Sequence, residues 1–241
     1  MRNYVIIISA DAEWKVVKEL CPGHKTYTSP YGDWFECQYP AYPRLDQSVV
    51  LMHGGWGKVS AAGSAQYAID RWRPSMLVNI GTCGGFEGKI NRGDIILVEK
   101  TVIYDIFEQM GDPDEHILHY TMPIDNSWLE EPLPIEVIRT VLVSGDRDLV
   151  WKDIPLLHAK YGAIAGDWES GAIAWVASKN GTHCLILRGV TDLVGEQGGE
   201  AYEGNVSYYY QNTKTIMTKL LETLPQWLVK YREYLSEKES E

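Results

Sequence analysis

Cations are scarce in this chain. Its 241 residues hold 22 Lys and Arg against 33 Asp and Glu, a formal net charge of -11. Nucleic-acid backbones and anionic membranes are held by clustered positive charge, so neither is expected as a partner. A small neutral or cationic ligand stays open. Cysteine is sparse as well: Cys21, Cys37, Cys83 and Cys184 are scattered, with no CxxC pair and no metal-like His spacing. That favours reduced thiols in a cytoplasm over a disulfide framework or a zinc site. Long apolar runs are missing. Val5 to Ile8 is too short for a signal peptide or a membrane span, and no later segment is long enough, so a soluble cytoplasmic protein is expected. The Gly-rich stretches 54–58 and 81–85 lack the GxGxxG spacing with a downstream ribose-binding acid, which argues against a dinucleotide site.

What is present is ordinary for a folded chain, with 45% apolar and 23% charged residues and enough length to bury a sizeable core. Nine Trp is a high count; most are expected as core or interface filler, and some as pocket lining. With no internal repeat and no linker, one domain over 1–235 and a charged tail over 236–241 are expected.

Tyr4 to Ser9 reads as a buried strand, followed by a helix in which Trp14, Val17 and Leu20 recur at helical spacing, Asp11 serves as cap, and Cys21-Pro22-Gly23 stops the run. Residues 24–48 read as an irregular hairpin. Further strands are expected at Val49–His53, Met76–Ile80, Ile95–Val98 (with extension to Ile103), Val137–Val143, Ala163–Ala165 and Cys184–Val190. Helices are expected at Val59–Arg71, Ile154–Tyr161, Trp168–Asn180, and from Asn205 to about Leu235 with a break at Pro225. Gly81-Thr82-Cys83-Gly84-Gly85 reads as a strand-end turn, and 105–135 as a long polar excursion with one helix near Ser127. Strands alternating with helices point to an α/β domain, its central sheet mostly parallel or mixed and covered by helices on both faces.

Acidic residues gather where such elements end. Glu13 falls in the first turn of the first helix, Glu169 near the start of the 168–180 helix, and Asp192 just past an apolar strand. Each has a plain structural account: a first-turn acid favoured by the helix dipole for the two Glu, a cap or a salt bridge to Arg188 for Asp192. Together they suit cleavage of an N-glycosidic bond. That reaction must protonate the leaving base, supply a nucleophile to the anomeric carbon and hold the ribose hydroxyls, and carboxyl groups can do all three. Desolvation at the strand end would keep Asp192 protonated as the acid.

Ordered stretches carry a family resemblance. They are Ile8–Glu13, Gly55–Val59, Asn79–Gly85, Gly93–Ile95, Val143–Asp146, Asp167–Ala174 and Arg188–Asp192. In these the chain resembles the nucleoside phosphorylase superfamily of the purine nucleoside and uridine phosphorylase type, and within it the methylthioadenosine/S-adenosylhomocysteine nucleosidases. The resemblance implies that Glu13 activates the attacking water, Glu169 holds the ribose hydroxyls and Asp192 protonates the purine at N7, with the Thr191 hydroxyl beside it. It implies that Thr82 and Gly84 line the sugar and base pocket, that Trp168 packs on the ribose in place of a Met, and that Asp148-Leu149 meet the purine, with backbone groups of Leu149 reading its edge. Trp56 replaces a smaller aliphatic residue near the 5′ substituent, and Tyr202 is expected to face the same pocket. Phosphorylases of the superfamily carry an Arg where this chain has Asn79, and a neutral amide cannot clamp phosphate, so hydrolysis is expected.

No metal or organic cofactor is implied, and a homodimer is, which an exposed aromatic patch near Trp34, Tyr39 or Trp72 would fit. Segment 104–116, which in the family's dimers reaches the partner's pocket, has no anchored match. The open alternatives are a nucleosidase for aminodeoxyfutalosine or an adenosine-like nucleoside, a phosphate-dependent phosphorylase, and a non-catalytic binding or storage relative.

Overall fold

A β-branched run followed by helical spacing opens the chain, and the computed structural model keeps both, as β1 (Tyr4–Ile8) and α1 (Asp11–Leu20). The structure describes residues 4–39, 42, 45, 49–202 and 206–239. Next come β2 (Tyr27–Thr28), β3 (Asp33–Cys37), β4 (Val49–His53), α2 (Lys58–Trp72), β5 (Met76–Phe86), β6 (Ile95–Ile103), α3 (Pro113–His119) and β7 (Thr121–Pro123). The second half supplies β8 (Ile138–Ser144), α4 (Ile154–Tyr161), β9 (Ala163–Asp167), α5 (Ser170–Lys179), β10 (His183–Gly195), β11 (Gly198–Gly199) and α6 (Val206–Lys238).

The strands form one mixed sheet in the order β11-β10-β6-β8-β9-β5-β1-β4-β3-β2, with β7 on β6. Strand β1 runs parallel to β4 and β5, and β5 parallel to β10, whereas β10–β6 and β5–β9 are antiparallel. Because β10 pairs with both β6 and β5, the run β10-β6-β8-β9-β5 closes into a ring with no free edge. Alternate residues of β1 enter different clusters, as the two-residue period of a strand requires. Tyr4, Ile6 and Ile8 pack with Trp14 and Val17 of α1 and with Leu220, Leu224 and Trp227 of α6. Val5 and Ile7 pack with Ala61, Ala65 and Ala68 of α2 and with Ala172, Ile173 and Val176 of α5.

Several expectations change. The 81–85 glycines lie inside β5 rather than in a turn. They are there for close approach: a Cβ on Gly81 would stand 1.9 Å from Arg188 Nη1, and one on Gly85 2.7 Å from Ile90. Strand β10 likewise carries on past Val190, so Thr191-Asp192 is strand and not loop. The helix of the 105–135 excursion is α3, where Asp112 caps the Asp114 N–H at 2.9 Å and Pro113 opens the first turn; near Ser127 there is a turn. Asp11 is the first residue of α1, not its cap.

Helix α6 runs unbroken through Pro225 and past 235 to Lys238; the expected start at Asn205 lies outside the described residues. A helix-interior Pro costs about 3 kcal/mol. Leu220, Leu224, Trp227, Leu228 and Tyr231 are buried on both sides of it, and at roughly 1.5–3 kcal/mol for each large apolar side chain that burial wins. Trp34 is buried edge-on against Trp72 at 5.0 Å and Tyr39 packs on the core, while the exposed aromatics near them are Tyr27, stacked on Trp34 at 4.5 Å, and Tyr31, which packs on Tyr67.

Candidate active site

The ends of β1, β5, β9 and β10 surround a cavity of about 690 Å³. Glu13 reaches it from the first turn of α1. Its Oε1 accepts hydrogen bonds from the Thr82 N–H at 2.6 Å and the Thr82 hydroxyl at 2.8 Å, and its Oε2 from the Ala10 N–H at 3.2 Å. Beneath it lies Arg188, fully buried. Its Nη2 donates to Asn79 Oδ1 at 2.6 Å and pairs with Asp167 Oδ2 at 2.8 Å, and its Nε donates to Ser170 Oγ at 2.9 Å. Among the described residues Nη1 has no protein acceptor; Nη1 and both Glu13 oxygens close on the space over Gly81, which is why that position has no side chain. Asn79 donates its amide to the Ile7 carbonyl at 2.9 Å, so its side chain is committed to holding Arg188 rather than facing the cavity.

Glu169 stands at the start of α5. Its Oε1 accepts from the Gly57 N–H at 3.0 Å, and its Oε2 lies 4.0 Å from Arg188 Nη2. Burial first, and the neighbouring Asp167 second, push its carboxyl up to about 8. Asp192 is raised as well, by burial above all, against the lowering hydrogen bond from the Thr191 hydroxyl at 2.6 Å. A regular strand would send Thr191 and Asp192 to opposite faces. The register of β10 against β5 slips between Val190 and Asp192, and this bulge turns both into the cavity.

The cavity is acidic: Asp11, Glu13, Asp148, Asp167, Glu169 and Asp192 line it against Arg147, which pairs with Asp153 at 2.9 Å. Among the described residues no group of three or more His, Cys, Asp or Glu has a metal-holding arrangement. The sequence pattern of the phosphorylase superfamily matches residues 8–224. The chain belongs to the phosphorylase superfamily.

Individual relatives of this superfamily member are distant. It is 27% identical to the 5′-methylthioadenosine/S-adenosylhomocysteine nucleosidase of Oceanobacillus iheyensis over 169 residues, 66% of this chain and 74% of the relative. The fold is that of Arabidopsis thaliana 5′-methylthioadenosine nucleosidase, with a TM-score of 0.74, 24% identity and 94% of each chain covered. It matches a futalosine hydrolase mutant of Helicobacter pylori equally in shape, with a TM-score of 0.74 at 16% identity over 94% of this chain and 100% of the other.

Each site residue expected from the sequence lines the cavity: Glu13, Trp56, Thr82, Gly84, Leu149, Trp168, Glu169, Thr191, Asp192 and Tyr202. One contact differs from expectation: Arg188 pairs with Asp167 and Glu169, not with Asp192. Tyr202 donates to the Leu149 carbonyl at 3.1 Å, near Asp148 and Asp192. In this superfamily member the two indoles lie 6.4 Å apart at the mouth, inclined at 48°. Sequence reasoning missed Tyr209, Tyr210, Arg147 and Asp167 as lining residues. Asp167 left a signal, since it accepts from the Ser170 N–H at 3.1 Å in a three-residue cap spacing. Tyr209 left none; burial pushes its phenol up to about 12.

Proposed function

We propose that this chain hydrolyses the N-glycosidic bond of a purine nucleoside, with 5′-methylthioadenosine or S-adenosylhomocysteine as leading substrates. One observation carries the reading: Glu13, Glu169 and Asp192 face a single cavity, each held differently. Asp192, whose carboxyl burial raises above its ordinary value, gives a proton to the purine N7 as the bond from C1′ to N9 breaks. Glu13, fixed by three donors, takes a proton from the water whose oxygen bonds to C1′, and the Nη1 of Arg188 orients that water. Glu169 carries its proton near neutral pH and so offers one donor and one acceptor to the 2′,3′-diol. The products are the free base and the free sugar.

Water is favoured over phosphate as the nucleophile. Asn79 is a neutral amide bound to Arg188 and the Ile7 carbonyl, Arg188 is paired with Asp167 except at its Nη1, and Arg147 is paired at the rim, so among the described residues a phosphate dianion would meet the cavity's carboxyls with only that Nη1 against them. A homodimer is part of the proposal. Phe107 and Met110 are 81% and 95% exposed, on a segment that Asp105 ties to Lys58 beside the exposed Trp56 and Val59; light scattering should give twice the chain mass.

The decisive experiment incubates the protein with methylthioadenosine, S-adenosylhomocysteine, adenosine, inosine and aminodeoxyfutalosine, with and without phosphate. Base release without phosphate, yielding sugar free of phosphate, is expected. Strict phosphate dependence would make the protein a phosphorylase, and no base release from any substrate would leave it a binding protein. Aminodeoxyfutalosine is the second reading, since the futalosine hydrolase fold fits equally well.

A further inference from the structure

Helix α2 begins in an unusual way. Its first two N–H groups are taken by acids from different parts of the chain: Gly57 N–H by Glu169 Oε1 at 3.0 Å and Lys58 N–H by Asp146 Oδ1 at 2.7 Å. Gly57 has φ 82° and ψ 159°, a region open to Gly and essentially closed to residues with a side chain, and a Gly there is free to move unless its neighbours fix it. A Cβ there would also stand 3.1 Å from Asp146 Oδ1.

The Lys58 side chain supplies that hold. Its ammonium pairs with Asp105 and lies 3.9 Å from Asp146 Oδ2, while the Asp146 N–H donates to Asp105 Oδ2 at 2.8 Å. Side-chain exposure is 22% for Lys58 and 11% for Asp105, so this is not the solvated surface pair that contributes little. The knot joins the end of β6, the start of α2 and the loop after β8. Trp56 precedes it on α2's side, and Arg147, Asp148 and Leu149 follow it on the other; all four line the cavity, whereas Lys58 does not.

We propose that Lys58 is a positioning residue: clamped between Asp105 and Asp146, its ammonium fixes the first turn of α2 so that the Gly57 N–H is aimed at Glu169. The inference rests on Glu169 holding the ribose diol. Removing the ammonium frees Gly57 to take other conformations open to a Gly, and Glu169 loses the donor that orients its carboxyl toward substrate.

The test compares the unaltered protein with Lys58→Met and Lys58→Arg, using methylthioadenosine and its 3′-deoxy analogue. Without the 3′-hydroxyl, the unaltered protein should lose about tenfold in kcat/KM. In Lys58→Met, KM for methylthioadenosine should rise about tenfold with kcat within about threefold, and the penalty for the 3′-deoxy analogue should shrink toward none. Lys58→Arg, which keeps the ion pairs, should retain most of that penalty. Hydrogen-exchange mass spectrometry should show amides of residues 55–60 exchanging roughly tenfold faster in Lys58→Met, with β5 unchanged. Equal losses on both nucleosides, or unchanged exchange at 55–60, would overturn the proposal. If the unaltered protein releases adenine from neither nucleoside, the hydrolase reading fails, while the exchange result still decides whether Lys58 holds Gly57.

Discussion

At the floor of the cavity, Glu13, Asp167, Glu169 and Arg188 are buried and stand on strands, a strand end or the start of a helix. At its rim Trp56 is 62% exposed and Tyr210 50%, and Arg147 and Asp148 occupy a loop. The floor's side chains are fixed by one another: Glu13 by Thr82, Arg188 by Asn79, Ser170 and Asp167. The rim has few such ties. Groups held by several hydrogen bonds meet the geometric tolerance that bond breaking needs, while loop-borne aromatics tolerate substitution and so set what the mouth accepts. The division predicts that substitutions of the acid and base groups Asp192 and Glu13 act on kcat, and substitutions of the rim, or of what aims Glu169 at the diol, on KM.

The largest effect is expected at Asp192. Asp192→Asn keeps the shape and an acceptor for the Thr191 hydroxyl but removes the transferable proton. General acid catalysis typically contributes roughly 10²–10⁴-fold, so kcat for adenine release should fall by that factor with KM within about threefold. A kcat within threefold of the unaltered protein would remove Asp192 from the acid role.

A smaller effect follows from Glu169 and reads the floor without any substrate. Its carboxyl is raised from an ordinary value of 4.5 to about 8, so between these values the folded chain keeps a proton that the unfolded chain has released. The folded state then binds more protons, and its stability falls as pH rises through that window. Glu169→Gln cannot titrate. Between about pH 5 and pH 8 the melting temperature of the unaltered protein should therefore decline more steeply than that of Glu169→Gln, by roughly a few degrees. Parallel melting curves would show that Glu169 is not the buried, protonated group described above.

The same contrast explains what could be read from the sequence. Floor residues announce themselves because their positions are local: Glu13, Glu169 and Asp192 each sit at or near an apolar element's boundary, and ordered motifs surround them. What stayed hidden depends on strand pairing. The ring closure between β5 and β10 makes Gly81 and Gly85 close-approach glycines, whereas the sequence cue for such glycines is a turn. The bulge before Asp192 cannot be seen without its partner strand. Arg188 looked like a partner for Asp192, and only the register that sets it beside Asn79 and Asp167 assigns it to the floor. Tyr209 and Tyr210 enter the cavity because α6 crosses the sheet there, a placement set by packing far along the chain.

The smallest effect belongs to the rim and tests the division most sharply. Trp56 is mostly solvent-exposed and its ring meets Trp168 at 6.4 Å. Such an aromatic pair contributes about 0.5–1.5 kcal/mol beyond its buried area, and an exposed substitution usually changes stability by less than about 0.5 kcal/mol. Trp56→Ala should therefore raise KM roughly two- to tenfold, with kcat within about twofold and the melting temperature nearly unchanged. The Gly57 N–H that follows Trp56 donates to Glu169, so the rim and the floor touch through one peptide. If the penalty for removing the 3′-hydroxyl also shrank, the disturbance would have crossed that peptide to Glu169, and the two regions would have to be treated as one mechanical unit.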